Sequence, residues 1–479
     1  MKRLVALLIL SVMWLVVPRA WGGVAFTTLV SFTGTSGVYP GAYPYAGLAL
    51  GSDGNFYGTT SSGGTNNHGT IFQLTPGGAF TSLLSFNGTN GATPYAAPVQ
   101  GADGNFYGTT FTGGVSNWGT IYRITTNGTF TNLFSFTGTN NPYLGANPGA
   151  ALVPAADGSF FGTADFGGAS TNVVPIISGA GYGTLFQLTT NGTVVVPVFL
   201  GYTNGAYPSG GLVLGQDGSF YGTTLCGGNG ISGSFPGYGT VFKMTPDGTF
   251  TNIYLFTGSS DGGFIYAGLV QGGDGYLYGG AFSGGQGYGT LFKVSTNGSF
   301  TRLHTFTYFE SGSPYGGLTE GSDGNFYGTT YGAYSYGAYS YGGVFKLTPD
   351  GAFTNLVSFT GTSGVYPGAH PDGVLVQGPD GNFYGTTSQG GANGWGTIFR
   401  LSVPMPPVFK TITLMDGTAT LTWSAVAGQA YQLQYSTNLA QANWNSFSKP
   451  IVALDGTMTK TDSDAAGSPQ RFYRVVLFP

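Results

Sequence analysis

Three acidic side chains, Asp261, Glu310 and Asp372, stand outside any repeated motif, and His370 lies two positions before the last of them. Two carboxyls held about 5–10 Å apart, with pKa values pushed apart, can cleave a glycosidic bond. These three are therefore the candidate catalytic residues. Beside them the chain concentrates aromatic side chains. Tyr315 is followed by "YGAYSYGAYSYGG" from Tyr331 to Gly343, which contributes Tyr334, Tyr336 and Tyr339, and Trp395 comes later. Phenol and indole faces stack on the C–H faces of sugar rings, so Tyr315, Tyr334, Tyr336, Tyr339, His370, Asp372 and Trp395 form the expected ligand-binding set. Few titratable groups escape the repeats, which favours binding over catalysis. A calcium loop needs several oxygen donors within a few residues. One aspartate per turn does not supply them, and neither a metal nor a cofactor is expected.

Those residues sit on a repeated frame. Asp53, Asp103, Asp157, Asp217, Asp274, Asp323 and Asp380 each precede a glycine and then a short apolar or aromatic run, at spacings of 50, 54, 60, 57, 49 and 57 residues. A regular period of this length marks a repeat architecture. Within one unit, Gly47–Leu50 reads as a short strand and Asp53-Gly54 as a hairpin of type I′. Asn55–Thr60 and Gly69–Leu74 read as two further strands, and a second turn at Pro76–Gly78 leads into a fourth, Phe80–Phe86. Five basic residues, Arg123, Lys243, Lys293, Lys346 and Arg400, share one position in the third strand, as scaffold would.

Four antiparallel strands repeated seven times predict an all-β, seven-bladed β-propeller over residues 23–402. Small pairs such as Ala46-Gly47 and Gly210-Gly211 before the first strand suit a crowded axis. "LVSFTGTSGVYPGA" occurs at both 29–42 and 356–369, so residues 26–33 read as the fourth strand of the last unit, closing the ring. Residues 403–407 form a Pro-rich linker. Residues 408–479, with Trp423 and Tyr431–Tyr435 in alternating runs, read as a small fibronectin type III-like β-sandwich.

The unit "GxDGNFYGTT…GG…GTIFxLTPxG…FTxLxSF" resembles the GloVer tandem repeat of secreted bacterial proteins, across residues 26–402. The resemblance implies an exported or cell-surface protein of unassigned activity. The ends agree: Lys2 and Arg3, an apolar run from Leu4 to Val17 and small residues up to Gly22 read as a signal peptide, too short to span a bilayer. Removing residues 1–22 leaves 11 basic against 18 acidic side chains, which disfavours nucleic acid as a partner. The single Cys226 can form no internal disulfide and reads as a buried apolar residue. The expected protein is a secreted or cell-surface monomer without a membrane span. It binds polysaccharide or a cell-surface glycan without catalysis. A carbohydrate-active hydrolase or lyase and a structural adhesin are the alternatives.

Overall fold

The computed structural model describes residues 24–138, 145–168, 181–228, 231–232, 235–307, 310, 312–332, 334–335, 338–438, 444–467 and 470–478. The expected signal peptide and Tyr336 lie outside them. The structure is all-β. Among the described residues the chain forms two compact units, one of residues 28–376 with 384–399 and the other including 377–383 and 400–479.

The larger unit is built from four-stranded antiparallel sheets, and seven such sheets carry the repeats. In the first repeat the strands are Ala49–Leu50, Phe56–Thr60, Thr70–Leu74 and Phe80–Ser85. They pair in chain order, with Phe56 opposite Leu74 and Gly58 opposite Phe72. That register explains the repeated glycine: a Cβ on Gly58 would lie 2.4 Å from the Phe72 ring. In the last repeat, Val376–Gln377, Phe383–Thr387 and Thr397–Ser402 are joined in sheet order by Ala25–Ser31, which takes the fourth-strand place.

The Asp-Gly turns form, but not as type I′. Asp53 keeps negative φ and only Gly54 is left-handed, at φ 79°. The Gly54 N–H donates to Gly51 O at 2.9 Å and the Gly51 N–H to Asn55 O at 2.8 Å, a type I turn closed by a glycine bulge. The aspartate acts through its carboxylate, which accepts from the Asn55 N–H at 3.1 Å and from the Tyr57 hydroxyl at 2.8 Å. In other repeats the shared basic position joins in: Lys243 Nζ reaches Asp217 at 2.8 Å and Lys346 Nζ reaches Asp323 at 3.1 Å. Asp416-Gly417, in the smaller unit, is the true left-handed pair, at φ 49° and 80°.

Neighbouring sheets are joined by three repeated devices. Tyr57 stacks on Phe106 with centroids 3.9 Å apart, Tyr278 on Phe326 at 3.9 Å, and Phe56 on Tyr384 at 4.2 Å. Buried second-strand threonines donate to the next repeat's lead-in carbonyl: Thr59 to Ala96 at 3.1 Å, Thr109 to Ala150 at 3.1 Å, Thr223 to Ala267 at 2.9 Å, and Thr386 to Ala46 at 2.7 Å. Thr163 lacks this partner.

The third device is a strained residue. Tyr43, Thr93, Asn147, Tyr207, Phe264, Ser313 and His370 all adopt φ between 53° and 62°. Each N–H donates to the carbonyl just before the previous repeat's third strand, as Thr93 does to His68 and Tyr43 to Trp395, both at 3.0 Å. Its own carbonyl accepts from the residue that ends the second strand's run, as Tyr43 O does from the Ser61 N–H at 3.1 Å. Left-handed backbone costs a non-glycine residue about 1–2 kcal/mol. Two backbone hydrogen bonds at every copy hold it there and aim the following lead-in segment.

In the smaller unit, Phe409–Met415, Thr418–Ser424 and Thr457–Asp462 form one sheet, and Ala430–Ser436 pairs with Phe472–Phe478 and two short strands in another. Leu421, Trp423, Tyr431 and Leu433 form their shared core.

Candidate functional site

Seven lead-in segments, one per repeat, line a cavity of about 870 Å³. Its floor is made of small residues because the segments touch: a Cβ on Gly47 would lie 2.2 Å from Val374 O, and one on Gly210 2.5 Å from Ala267 O. Two residues after each strained position comes one equivalent rim position, occupied in turn by Tyr45, Tyr95, Gly149, Ser209, Tyr266, Tyr315 and Asp372. All seven line the cavity. A smaller cavity of about 290 Å³ shares Tyr45, Tyr266, Tyr315 and Asp372 with it, and adds Phe282 and Tyr331. Tyr266 stacks on Tyr315 at 4.8 Å, and Tyr45 meets Tyr95 edge to face at 5.4 Å.

Asp372 is the one acid in a rim row that holds four tyrosines. It is buried, and among the described residues neither carboxyl oxygen has a hydrogen-bond donor. Burial pushes its pKa up to about 7. Ser388 is the nearby polar group that opposes the shift, but its hydroxyl proton goes to His370 O at 3.0 Å. The geometry therefore leaves Asp372 without a partner.

A second carboxyl stands in the same cavity. Asp165 follows the second strand of the third repeat, where other repeats place Ser61, Phe111, Leu225, Phe282, Tyr331 and Ser388. Part of the residue is exposed, but Oδ1 is sealed from solvent and donorless, while Oδ2 accepts from Ser209 Oγ at 3.3 Å. Burial raises its pKa to about 7 as well. The glycine at rim position 149 leaves room for it, since a Cβ there would come within 3.3 Å of Asp165. Desolvation raises the Tyr315 pKa first, and both carboxylates add to that shift, so the two charges act on one ring. Burial also pushes Tyr45 up to about 12. These phenols are neutral donors at ordinary pH.

The other expected site residues separate from this pair. Asp261 is buried but fully used: it accepts from the Thr257 N–H at 2.9 Å, the Thr257 hydroxyl at 2.6 Å and the Tyr254 hydroxyl at 3.1 Å. Glu310 does the same for Thr307, accepting its N–H at 2.8 Å and hydroxyl at 2.9 Å, with His304 3.4 Å away. Both repeat a task that asparagine performs elsewhere, since Asn90 accepts the Asn87 N–H at 2.8 Å and Asn204 the Gly201 N–H at 2.6 Å. They cap a loop, and neither lines the cavity.

Trp395 also lies outside it. Its ring packs on Gly34 and meets Tyr43 at 5.3 Å, just as His68 packs on Gly88 and Trp118 on Gly138. It is a wedge between repeats. Tyr315 lines both cavities. His370 stands behind the rim, its ring stacked on Tyr331 at 4.3 Å and its Nδ1 2.9 Å from Tyr331 O. Tyr334 and Tyr339 pair across a two-stranded hairpin, and their side chains lie outside the description. Asp165 was legible only by aligning the residue after each second strand, where it is the one acid.

These features define a class: an all-β tandem-repeat protein whose repeats present equivalent residues around one shared cavity. The chain belongs to the Gloeobacter/Verrucomicrobia repeat family, whose sequence profile matches residues 20–174, 177–370 and 231–441. No protein of curated function matches it. Among solved structures it is similar to PorZ, a surface component of the type-IX secretion system of Porphyromonas gingivalis. The identity is 13% over 93% of this chain and 59% of that one, with TM-score 0.47. It is also similar to a gluconolactonase of Xanthomonas campestris, at 11% identity over 79% of this chain and 89% of that one, with TM-score 0.39. Among the described residues no helix is long and apolar enough to cross a membrane, and no cluster of metal-binding side chains occurs.

Proposed function

We propose that the repeat sheets close into a seven-bladed β-propeller, with residues 25–31 completing the last blade, followed by a fibronectin type III-like module. Three contacts support closure because each continues a repeat-to-repeat series from the last unit back to the first: Thr386 to Ala46, Phe56 on Tyr384, and Tyr43 to Trp395.

On this frame the protein is a secreted or cell-surface binding protein directed at carbohydrate, and the central cavity takes the ligand. The observation that carries the reading is the rim. Four of its seven equivalent positions are tyrosines, and a fifth, Asp372, is a buried carboxyl held with no internal partner. Tyrosine faces offer stacking surface and a carboxyl offers acceptors, the pairing by which polar ring ligands are held.

Asp165 and Asp372 together bring a hydrolase into view. Glycoside hydrolysis needs one acid protonated and one ionised, with pKa values pushed apart. Burial raises both carboxyls alike and nothing sets one apart as acid and the other as base, so the tyrosine-rich rim makes binding the better reading. Titration of residues 23–479 with an oligosaccharide panel, beside an assay for released reducing ends, tests it. Binding without release, weakened by Tyr315→Ala, is the expected result. Steady release of reducing ends that Asp372→Asn abolishes would replace this reading with the enzymatic one.

A further inference from the structure

We propose that the occupant of the central cavity carries a positively charged amine, so that the sugar it recognises is an amino sugar with a free ammonium group. This rests on the carbohydrate reading above and narrows it. Two carboxyls, Asp165 and Asp372, enter one cavity, and three of their four oxygens lack a donor. Among the described residues no lysine or arginine lines the cavity to neutralise them. His370 does not serve, because it does not line the cavity, and its Nδ1 and ring face are turned to Tyr331. A buried charge without a partner is costly. A neutral hydroxyl would fill an acceptor site but leave the charge uncompensated, whereas an ammonium supplies both donors and the opposite charge. The neighbouring phenols suit the same group, since a cation over a tyrosine face is attracted by the ring quadrupole. Tyr45, Tyr315 and Tyr331 are the rings whose ionisation the Asp372 charge opposes, so they stand within its field.

The pH dependence follows from the groups around Asp372: these three neutral phenols and the Ser388 hydroxyl, with His370 stacked behind Tyr331 and Asp165 acting on the shared Tyr315 ring. A cation binds the carboxylate and not the carboxylic acid. Affinity for a permanently charged probe should therefore rise as pH increases through the neutral range, with protons released on binding.

The test is calorimetric titration of residues 23–479 with glucosamine tetramer, N-acetylglucosamine tetramer, glucose tetramer and tetramethylammonium. Glucosamine tetramer should bind at least about tenfold more tightly than either neutral tetramer. Asp372→Asn should weaken it by about 10- to 100-fold while changing the neutral tetramers by less than about twofold, the range for one charged contact. Asp165→Asn gives an independent second variant, and Leu454→Ala, on an exposed side chain of the smaller unit, should change nothing. Neutral tetramers binding as tightly as glucosamine tetramer, unaffected by Asp372→Asn, would overturn the cation while leaving the carbohydrate reading intact. Tetramethylammonium binding that Asp372→Asn removes, with no tetramer bound, would keep the cation and overturn the sugar. No binding of any probe would overturn both.

Discussion

Asp372→Asn should stabilise the folded protein, and more so at pH 8 than at pH 5. The ordinary carboxyl pKa is 3.8 and burial raises that of Asp372 to about 7. A raised acid means that the folded state binds the extra proton between these values. Stability therefore falls as pH rises from about 4 to 7, and the full penalty is present above 7. Three units at about 1.4 kcal/mol each set a ceiling of about 4 kcal/mol. Water entering the cavity reduces it, so a penalty on the order of 1–4 kcal/mol at pH 8 is expected, and only part of it at pH 5. Asparagine keeps the shape and cannot ionise. Its buried amide carries a cost of its own, but that cost is the same at both pH values and cancels in the comparison. Asp165 titrates in the same window in both proteins, so its contribution cancels in the comparison. The assay is urea unfolding of parent and variant at pH 5 and pH 8. A stabilisation equal at the two pH values, or a variant less stable than the parent by a larger margin at pH 8, would refute the electrostatic account of the site.

The hairpin aspartates should behave in the opposite sense and in graded order. Asp323, whose side chain is 2% exposed, accepts from Asn325, Tyr327 and Lys346, and Asp323→Ala should cost about 2–4 kcal/mol. The more open Asp157 accepts, among the described residues, from Ser159 alone, and Asp157→Ala should cost less than about 1 kcal/mol, as thermal unfolding can rank. Asp217 is lowered to about 2, so its contribution is complete above pH 4 and lost as pH falls toward 2, a loss that Asp217→Asn should remove from an acid titration. Gly47→Ala places a Cβ 2.2 Å from Val374 O and should destabilise by about 2 kcal/mol or more, whereas Gly54→Ala meets no atom within 4 Å and should cost only the left-handed strain of about 1–2 kcal/mol.

The repeat and its strand order were legible because period, turn glycines and apolar alternation are written in residue types. The turn type was not, because Asp53-Gly54 and Asp416-Gly417 share letters and differ in the sign of the aspartate φ. Asp261 and Glu310 drew attention as unrepeated acids, yet the loop needs only a side-chain oxygen to accept one N–H, and asparagine elsewhere hides the equivalence. The strained positions are invisible for a related reason. Tyrosine, threonine, asparagine, phenylalanine, serine and histidine all fill them, because backbone partners and not the side chain hold the conformation. Asp372 was legible as a departure from the repeat. Its lack of any donor, which gives it meaning, depends on what other segments bring to the cavity.

Ring closure underlies the whole account, since an open array has no shared cavity. The direct measurement is hydrogen exchange and thermal unfolding of the chain with residues 24–33 deleted. Ala25–Ser31 takes the fourth-strand place beside Thr397–Ser402, so deletion should leave that strand's amides exchanging freely. It should also lose protection in the lead-in segments 43–49 and 372–374 and broaden the unfolding transition. Unchanged protection in those segments, with the parent's melting transition retained, would contradict closure and with it the site.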